Sequence, residues 1–312
     1  MQQITNTILM VRPIKFRMNE QTAVNNYFQE DLDIKNSEIN KKAQLEFDTF
    51  VNKLRAVGLH IIVVQDIENQ DTPDSIFPNN WVSFHENGDV AIYPMFAENR
   101  RPERREDIFD TIENEGYIIN NIVDYTSAEE DNIFLEGTGS LALDRQHRKA
   151  YCALSPRADE QLIIEFCEDF EYTPVIFTAY QSVNEERLPI YHTNVMMCLA
   201  ETFAIICLDC IDDKKERKNV LKHLKEDGLE VIAITEEQVA SFAGNMLQVK
   251  GKDENRYLVM SEAAHKSLTK DQINKINRHC EILSSPIDTI ETCGGGSARC
   301  MMAEVFLPKK IE

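Results

Sequence analysis

The chain has 312 residues, 43% hydrophobic and 28% charged, with a net charge of −20. That balance belongs to a soluble globular protein with ample core, and the acidity excludes the cationic footprint that nucleic acid or an anionic membrane surface requires; a small-molecule partner fits better. Eight irregularly spaced cysteines predict reduced thiols in a cytoplasmic protein, the N-terminal residues show no signal-peptide pattern, and no apolar run reaches the roughly eighteen residues of a membrane helix.

Residues 7–12 form an apolar run ended by Pro13 and predict a buried strand. Ile39, Ala43, Phe47, Phe50, Val51 and Leu54 recur at helical spacing over 36–57, Gly58 stops that helix, and 59–64 reads as a strand. The polar stretch 65–73 is a loop. Residues 81–84 and 90–93 flank Glu86-Asn-Gly-Asp89, a hairpin signal. A charged helix is expected over 100–114, starting near Pro102, then a strand over 118–123. Residues 134–144 read as two strands around a tight glycine turn, 150–154 as a strand, 157–166 as a helix, and 173–179 and 192–199 as strands. Strand 203–207 runs into Cys207-Leu-Asp-Cys210, a C-x-x-C without the second pair that a zinc site needs, so strand-end packing explains it. There follow a helix over 212–227, a strand over 231–234, a turn from Gln238 into 244–249, a strand over 257–260, a helix over 267–277 and a strand over 281–283. Strand and helix alternate without linker or sequence repeat, which predicts one α/β domain over 1–312.

After these comes Thr292-Cys-Gly-Gly-Gly-Ser-Ala-Arg-Cys300, followed by a short apolar element. Three glycines let the backbone approach a ligand closely and deliver one thiol at the edge of a buried element. By itself the stretch is equally a turn before a core cysteine. A thiol nucleophile needs a base, and histidine supplies one. Of seven histidines, His192 stands apart at the mouth of a strand after a polar loop. Glu136, where a strand meets a glycine turn, is placed to orient an imidazole or to cap the turn.

Phe77-Pro-Asn-Asn80, Glu136-Gly-Thr-Gly139, His192-Thr-Asn194, Gly244-Asn245-Met246 and Gly294-Gly-Gly-Ser-Ala-Arg-Cys300 occur in that order. Each is weak alone, but together they make the chain, from Val11-Arg-Pro13 onward, resemble the guanidine-modifying superfamily of arginine deiminases, dimethylarginine hydrolases and amidinotransferases. The resemblance implies a pseudo-symmetric α/β-propeller of five modules around a substrate channel. It implies Cys300 as nucleophile, His192 as general acid/base and Glu136 as its orienting partner. Arg157 resembles the arginine that binds a substrate α-carboxylate, and Arg100 (or Arg101 or Arg104) a second one. Asn245 joins the substrate-binding set, with no metal and no cofactor; a homo-oligomer is compatible with the sequence.

Two departures bear on the substrate. Guanidine-hydrolysing members usually carry aspartates where this chain has Asn80 and Asn194. Carboxylates neutralise a guanidinium; carboxamides do not, but they donate to a carbonyl and accept from an amide. The pair therefore predicts a neutral ureido group, that of citrulline, cleaved to ornithine, ammonia and carbon dioxide. Each asparagine also fits a turn cap. Hydrolysis of arginine or a methylarginine is the alternative, and a non-catalytic amino-acid-binding propeller the alternative of another class.

Overall fold

In the computed structural model, which describes residues 1–310, the chain folds as mixed α/β with several small sheets. Five of these are three-stranded and built to one plan. The first strand pairs antiparallel with the second, and the second parallel with the third. The sets are Val82–Phe84, Asp89–Ile92 and Asn121–Asp124; Leu141–Asp144, Lys149–Leu154 and Thr173–Thr178; Met197–Leu199, Phe203–Ile206 and Glu230–Ala233; Leu247–Lys250, Arg256–Ser261 and Glu281–Ser285; and Ala303–Glu304, Thr7–Arg12 and His60–Gln65. A parallel pair needs a crossover, and in every set helix fills it. Asn36–Ala56, Glu106–Asn114, Glu160–Asp169 and Lys214–Glu226 serve four sets, and Glu262–Ser267 with Lys270–Ile276 the fifth. The last set joins the two ends of the chain in one sheet.

Helix Asn36–Ala56 buries the six apolar residues whose spacing predicts it. Others differ from expectation. The helix expected over 100–114 is a 3-10 turn, Glu98–Glu103, and a separate helix, Glu106–Asn114, because Arg104 and Arg105 between them are extended. The helix expected over 267–277 breaks at Leu268, where Thr269 caps Lys270–Ile276. Residues 134–144 are not two strands: Gly137 has φ +45°, Gly139 and Ser140 donate backbone N–H to Glu136 O at 3.1 Å each, and Gly137–Ser140 is a helical turn before strand Leu141–Asp144. The strand expected from 192 likewise begins at Met197, after the 3-10 turn Thr193–Val195. Hairpin Tyr180–Val183/Glu186–Pro189 and helix Asp288–Gly294 were not expected. Among the described residues no helix is long and apolar enough to cross a membrane.

Those turns recur. Pro78–Asn80, Gly137–Ser140 and Thr193–Val195 each lead into the first strand of a sheet. The same place is taken by a turn closed by Asn245 N to Phe242 O at 2.9 Å and by one closed by Cys300 N to Ser297 O at 3.0 Å. The five sequence motifs are therefore five equivalent positions of the fold.

Candidate active site

The turns are stapled to one another. Thr138 Oγ1 donates to Asn79 O at 3.3 Å, Asn194 Nδ2 to Thr138 O at 3.4 Å, and Asn245 Nδ2 to Asn194 O at 3.0 Å. Asn245 Oδ1 then accepts from the backbone N–H of Arg299 at 3.0 Å and of Cys300 at 3.4 Å. These bonds fix which way the Asn245 amide points, so its Nδ2 faces Cys300 Sγ at 3.2 Å. Asn194 Nδ2 lies 3.5 Å from the same sulfur. The buried thiol thus sits between two carboxamides, with Asn194 Oδ1 3.8 Å from Sγ as its acceptor.

His192 Nε2 is 2.7 Å from Glu136 Oε2, and both residues are buried. Burial alone would raise the Glu136 carboxyl, but Arg157, the His192 hydrogen bond and Arg100 together hold it well below the usual range. Burial lowers His192 to about 4, only partly offset by Glu136. The pair at neutral pH is thus a carboxylate and a neutral imidazole. An ionised carboxylate only accepts, so Nε2 carries the proton and Nδ1 keeps its lone pair. Gly139 makes room for this ring: a Cβ there would stand 2.8 Å from His192 Nδ1 and 2.4 Å from Asn80 Nδ2.

Cys300, His192, Asn80, Arg100 and Arg157 line one cavity, with Asp74, Phe77 and Tyr191. At about 10 Å³ it holds roughly one water. It is covered by residues 19–30. Asn26 Nδ2 donates to Gly295 O at 3.2 Å and Gln29 Nε2 to Gly294 O at 3.1 Å. Gly295, at φ +60°, ends helix Asp288–Gly294 in a left-handed turn that presents these carbonyls.

Arg157 is held by that cover. Its Nε donates to Asn25 Oδ1 and its Nη2 to Thr22 O, each at 2.9 Å, while Nη1 lies 3.4 Å from Glu136. The cover thus fills the donor positions that a substrate carboxylate would take. Arg100 differs from expectation: Nε and Nη2 form a two-pronged pair with Glu103 at 2.9 Å each, and Nη1 donates to Asn80 Oδ1 at 2.9 Å. It positions Asn80 and has no fork left for a carboxylate. Arg101 and Arg104 pair with Glu129 outside the cavity. Asn245 also departs from expectation, because its carboxamide is used up in holding Cys300. Asp74 was not singled out in the sequence. Its Oδ2 accepts from Asn19 at 2.8 Å and Thr22 at 3.1 Å, but its buried Oδ1 has no partner. Burial pushes this carboxyl up, and Arg100 and the Asn19 bond offset that only in part.

A family model described as N,N dimethylarginine dimethylhydrolase, eukaryotic, matches residues 12–307. Nothing among curated proteins matches the chain significantly. Among solved structures the fold is similar to ArgZ, an arginine dihydrolase from the ornithine-ammonia cycle in Cyanobacteria, with TM-score 0.72, 16% identity, and coverage of 97% of this chain and 41% of that one. Unliganded AgrE is similar at TM-score 0.73 and 18% identity, over 98% of this chain and 40% of that one. The chain thus spans about two fifths of the length of those two proteins. Dimethylarginine dimethylaminohydrolase, captured as an adduct with S-methyl-L-thiocitrulline, gives TM-score 0.64 and 14% identity over 96% of this chain and 99% of that one. The chain belongs to the N,N dimethylarginine dimethylhydrolase family, and with it to the guanidino-modifying superfamily.

Proposed function

We propose that the chain hydrolyses the ureido group of citrulline, with the five sheets as modules of one pseudo-symmetric α/β-propeller domain over 1–312 and the turns around its substrate channel. The observation that carries this reading is the set of carboxamides around the thiol. Asn194 Nδ2 lies 3.5 Å from Sγ, and Asn80, its Oδ1 taken by Arg100 and one Nδ2 hydrogen by Asn79 at 3.1 Å, offers its remaining Nδ2 hydrogen to the cavity. Such a wall suits a neutral group with a carbonyl oxygen.

Arg157 holds the α-carboxylate in place of Asn25 and Thr22, and Asp74 Oδ1 accepts from the α-ammonium. Cys300 passes its proton to His192 and attacks the ureido carbon. Asparagine N–H groups stabilise the oxyanion that forms. The adduct collapses by expelling a nitrogen, which takes the proton from His192, and leaves a carbamoyl thioester. His192 then takes a proton from water, hydroxide displaces the thiolate, and the released carbamate breaks down to amine and carbon dioxide. Glu136 keeps the imidazole oriented throughout.

Hydrolysis of a guanidine is the second reading. It is favoured by the family match and by the unpaired Asp74 oxygen, an acceptor available to a cation. Incubation with citrulline, arginine and asymmetric dimethylarginine, with ornithine, citrulline, dimethylamine and ammonia assayed, decides between them. Ornithine from citrulline, absent with Cys300→Ser, is the expected result. Citrulline accumulating from arginine or dimethylarginine, with citrulline itself untouched, would replace the first reading by the second.

A further inference from the structure

Beyond the ring of turns, where strands Leu141–Asp144, Met197–Leu199, Leu247–Lys250 and Ala303–Glu304 run on, lies a second cavity. Its volume is about 30 Å³, two to three times what one water needs on the same measure. Arg145, Arg299, Glu304, Gln3, Thr138 and Asn194 contribute to its wall. Asn194 is shared with the first site, since its Nδ2 touches Cys300 Sγ.

The charges in this cavity do not balance. Arg299 donates to Met302 O at 2.7 Å and pairs with Glu304 at 2.6 Å, so the one carboxylate is committed. Gln3 is committed as well: Oε1 accepts from the Arg145 backbone N–H at 2.7 Å, and Nε2 donates to Leu143 O at 3.0 Å. The Arg145 side chain is left over. The residue is only 3% exposed, yet among the described residues its guanidinium has no hydrogen-bond acceptor and no carboxylate within 4.0 Å. One face is stacked, with Cζ lying 4.1 Å from the centroid of the Phe306 ring. Stacking offsets part of the burial but leaves the N–H donors in the guanidinium plane unanswered. Arginine cannot shed its proton, so the cavity keeps a fixed positive charge whose free donors open onto it.

We propose that this cavity binds a small planar oxyanion, of the carboxylate or bicarbonate class, with Arg145 as its charged ligand. A planar anion meets the guanidinium edge through two parallel hydrogen bonds while Phe306 keeps the face. The cavity volume limits the anion to a few non-hydrogen atoms. The site does not depend on which C–N bond the enzyme breaks.

Thermal unfolding of the whole protein tests this, in sodium bicarbonate, sodium acetate or sodium chloride at one ionic strength. A ligand that binds only the folded state raises Tm. Bicarbonate or acetate should raise the wild-type Tm by a few degrees over chloride. Arg145→Met should abolish that rise. Arg157→Gln should keep the rise, which separates this cavity from the one at Cys300. If Arg145→Met does not fold, Arg145→Lys retains the charge without the fork and should show a much smaller rise. No rise in wild type, a rise that survives in Arg145→Met or is undiminished in Arg145→Lys, or a rise lost in Arg157→Gln would each overturn the assignment.

Discussion

Asn80 and Asn194 stand in different surroundings, and replacing each by aspartate should have a different effect. A carboxylate at 80 would replace an oxygen that already accepts from Arg100 at 2.9 Å, so it would keep that bond, with Glu103 sharing the guanidinium. At 194 it would stand about where Nδ2 is now, 3.5 Å from Sγ, and would repel a thiolate. Asn194→Asp should therefore damage citrulline turnover more than Asn80→Asp. The double variant should shift the ratio of kcat/KM for arginine over citrulline upward by about 10²-fold or more, since sites built on hydrogen bonds discriminate strongly. Steady-state kinetics on both substrates check this, and an unchanged ratio would sink the carboxamide argument. His192 also leaves a mark on stability. Its ordinary value is 6.5, and burial lowers it to about 4 in the fold. Between those values the unfolded chain binds a proton that the folded chain does not, so stability rises with pH and is lost as pH falls from 6.5 towards 4. Glu136 acts in the same sense from lower pH: its depressed carboxyl contributes stability above about 4.5 that is lost as pH falls further. Denaturant titrations between pH 4 and 7 should show wild type losing up to about 3 kcal/mol more than His192→Asn. Equal slopes in the two proteins would mean that His192 is not held neutral.

The proposed catalytic groups ride on turns only a few residues long, and turn Gly137–Ser140 packs between two others. Gly139→Ala would push Asn80 Nδ2 and His192 Nδ1 from distances of 2.4 and 2.8 Å. Misplacement on the scale of 1 Å costs about 10²-fold in rate, so kcat/KM should fall by about that factor while circular dichroism stays native. Normal turnover in this variant would show that neither group needs its present position. The same turns explain what the sequence reveals. Glycine, proline and asparagine mark each one, so Asn80, Glu136, His192, Asn194 and Cys300 are visible as a set. Their common place before the first strand of a sheet is not, because Pro-Asn-Asn, Gly-Thr-Gly, Thr-Asn-Val and Ser-Ala-Arg-Cys share no residue pattern. Reading strands directly from 134 and 192 fails for a related reason: the apolar residues after each turn continue the alternation, and nothing in periodicity shows where the turn ends. Arg100 could not be told from Arg101 and Arg104, since its burial is decided by Glu103 three positions on and by Asn80 across space. Asp74 reads as a turn residue until its unpaired oxygen is located. The cover over 19–30 has no period at all, being held by side-chain amides on distant carbonyls.

At the scale of the molecule, the position of the proposed nucleophile depends on how the chain closes. Cys300 sits three residues before Ala303–Glu304, whose pairing with Thr7–Arg12 rests on Ile8 opposite Glu304 and Leu9 opposite Ala303. Around that short pair, Thr5 Oγ1 donates to Val305 O at 2.9 Å, Val305 N to Thr7 O at 3.0 Å, and Tyr117 OH to Thr7 Oγ1 at 2.8 Å. The other four sheets form from neighbouring stretches of chain, and this one brings together residues about 300 apart in sequence. If closure is only a matter of joining equivalent sheets, the point at which the chain is open is arbitrary. A circular permutant tests this, with residues 1 and 312 joined by a flexible glycine-serine linker and new ends between Asn184 and Glu185. Those two residues form the turn of hairpin Tyr180–Val183/Glu186–Pro189, with φ of 49° and 69°, and the hairpin holds none of the cavity-lining residues. Its outward bonds are surface ion pairs, Arg187 with Asp212 and Glu236, which contribute little. The permutant should fold with near-native circular dichroism and keep most of its activity. A second permutant opened between Met302 and Ala303 cuts the chain between Cys300 and the strand that holds its turn, and it should fold less stably and lose turnover. If the first fails to fold, or the second works as well as wild type, the closing pair is not what holds the nucleophile.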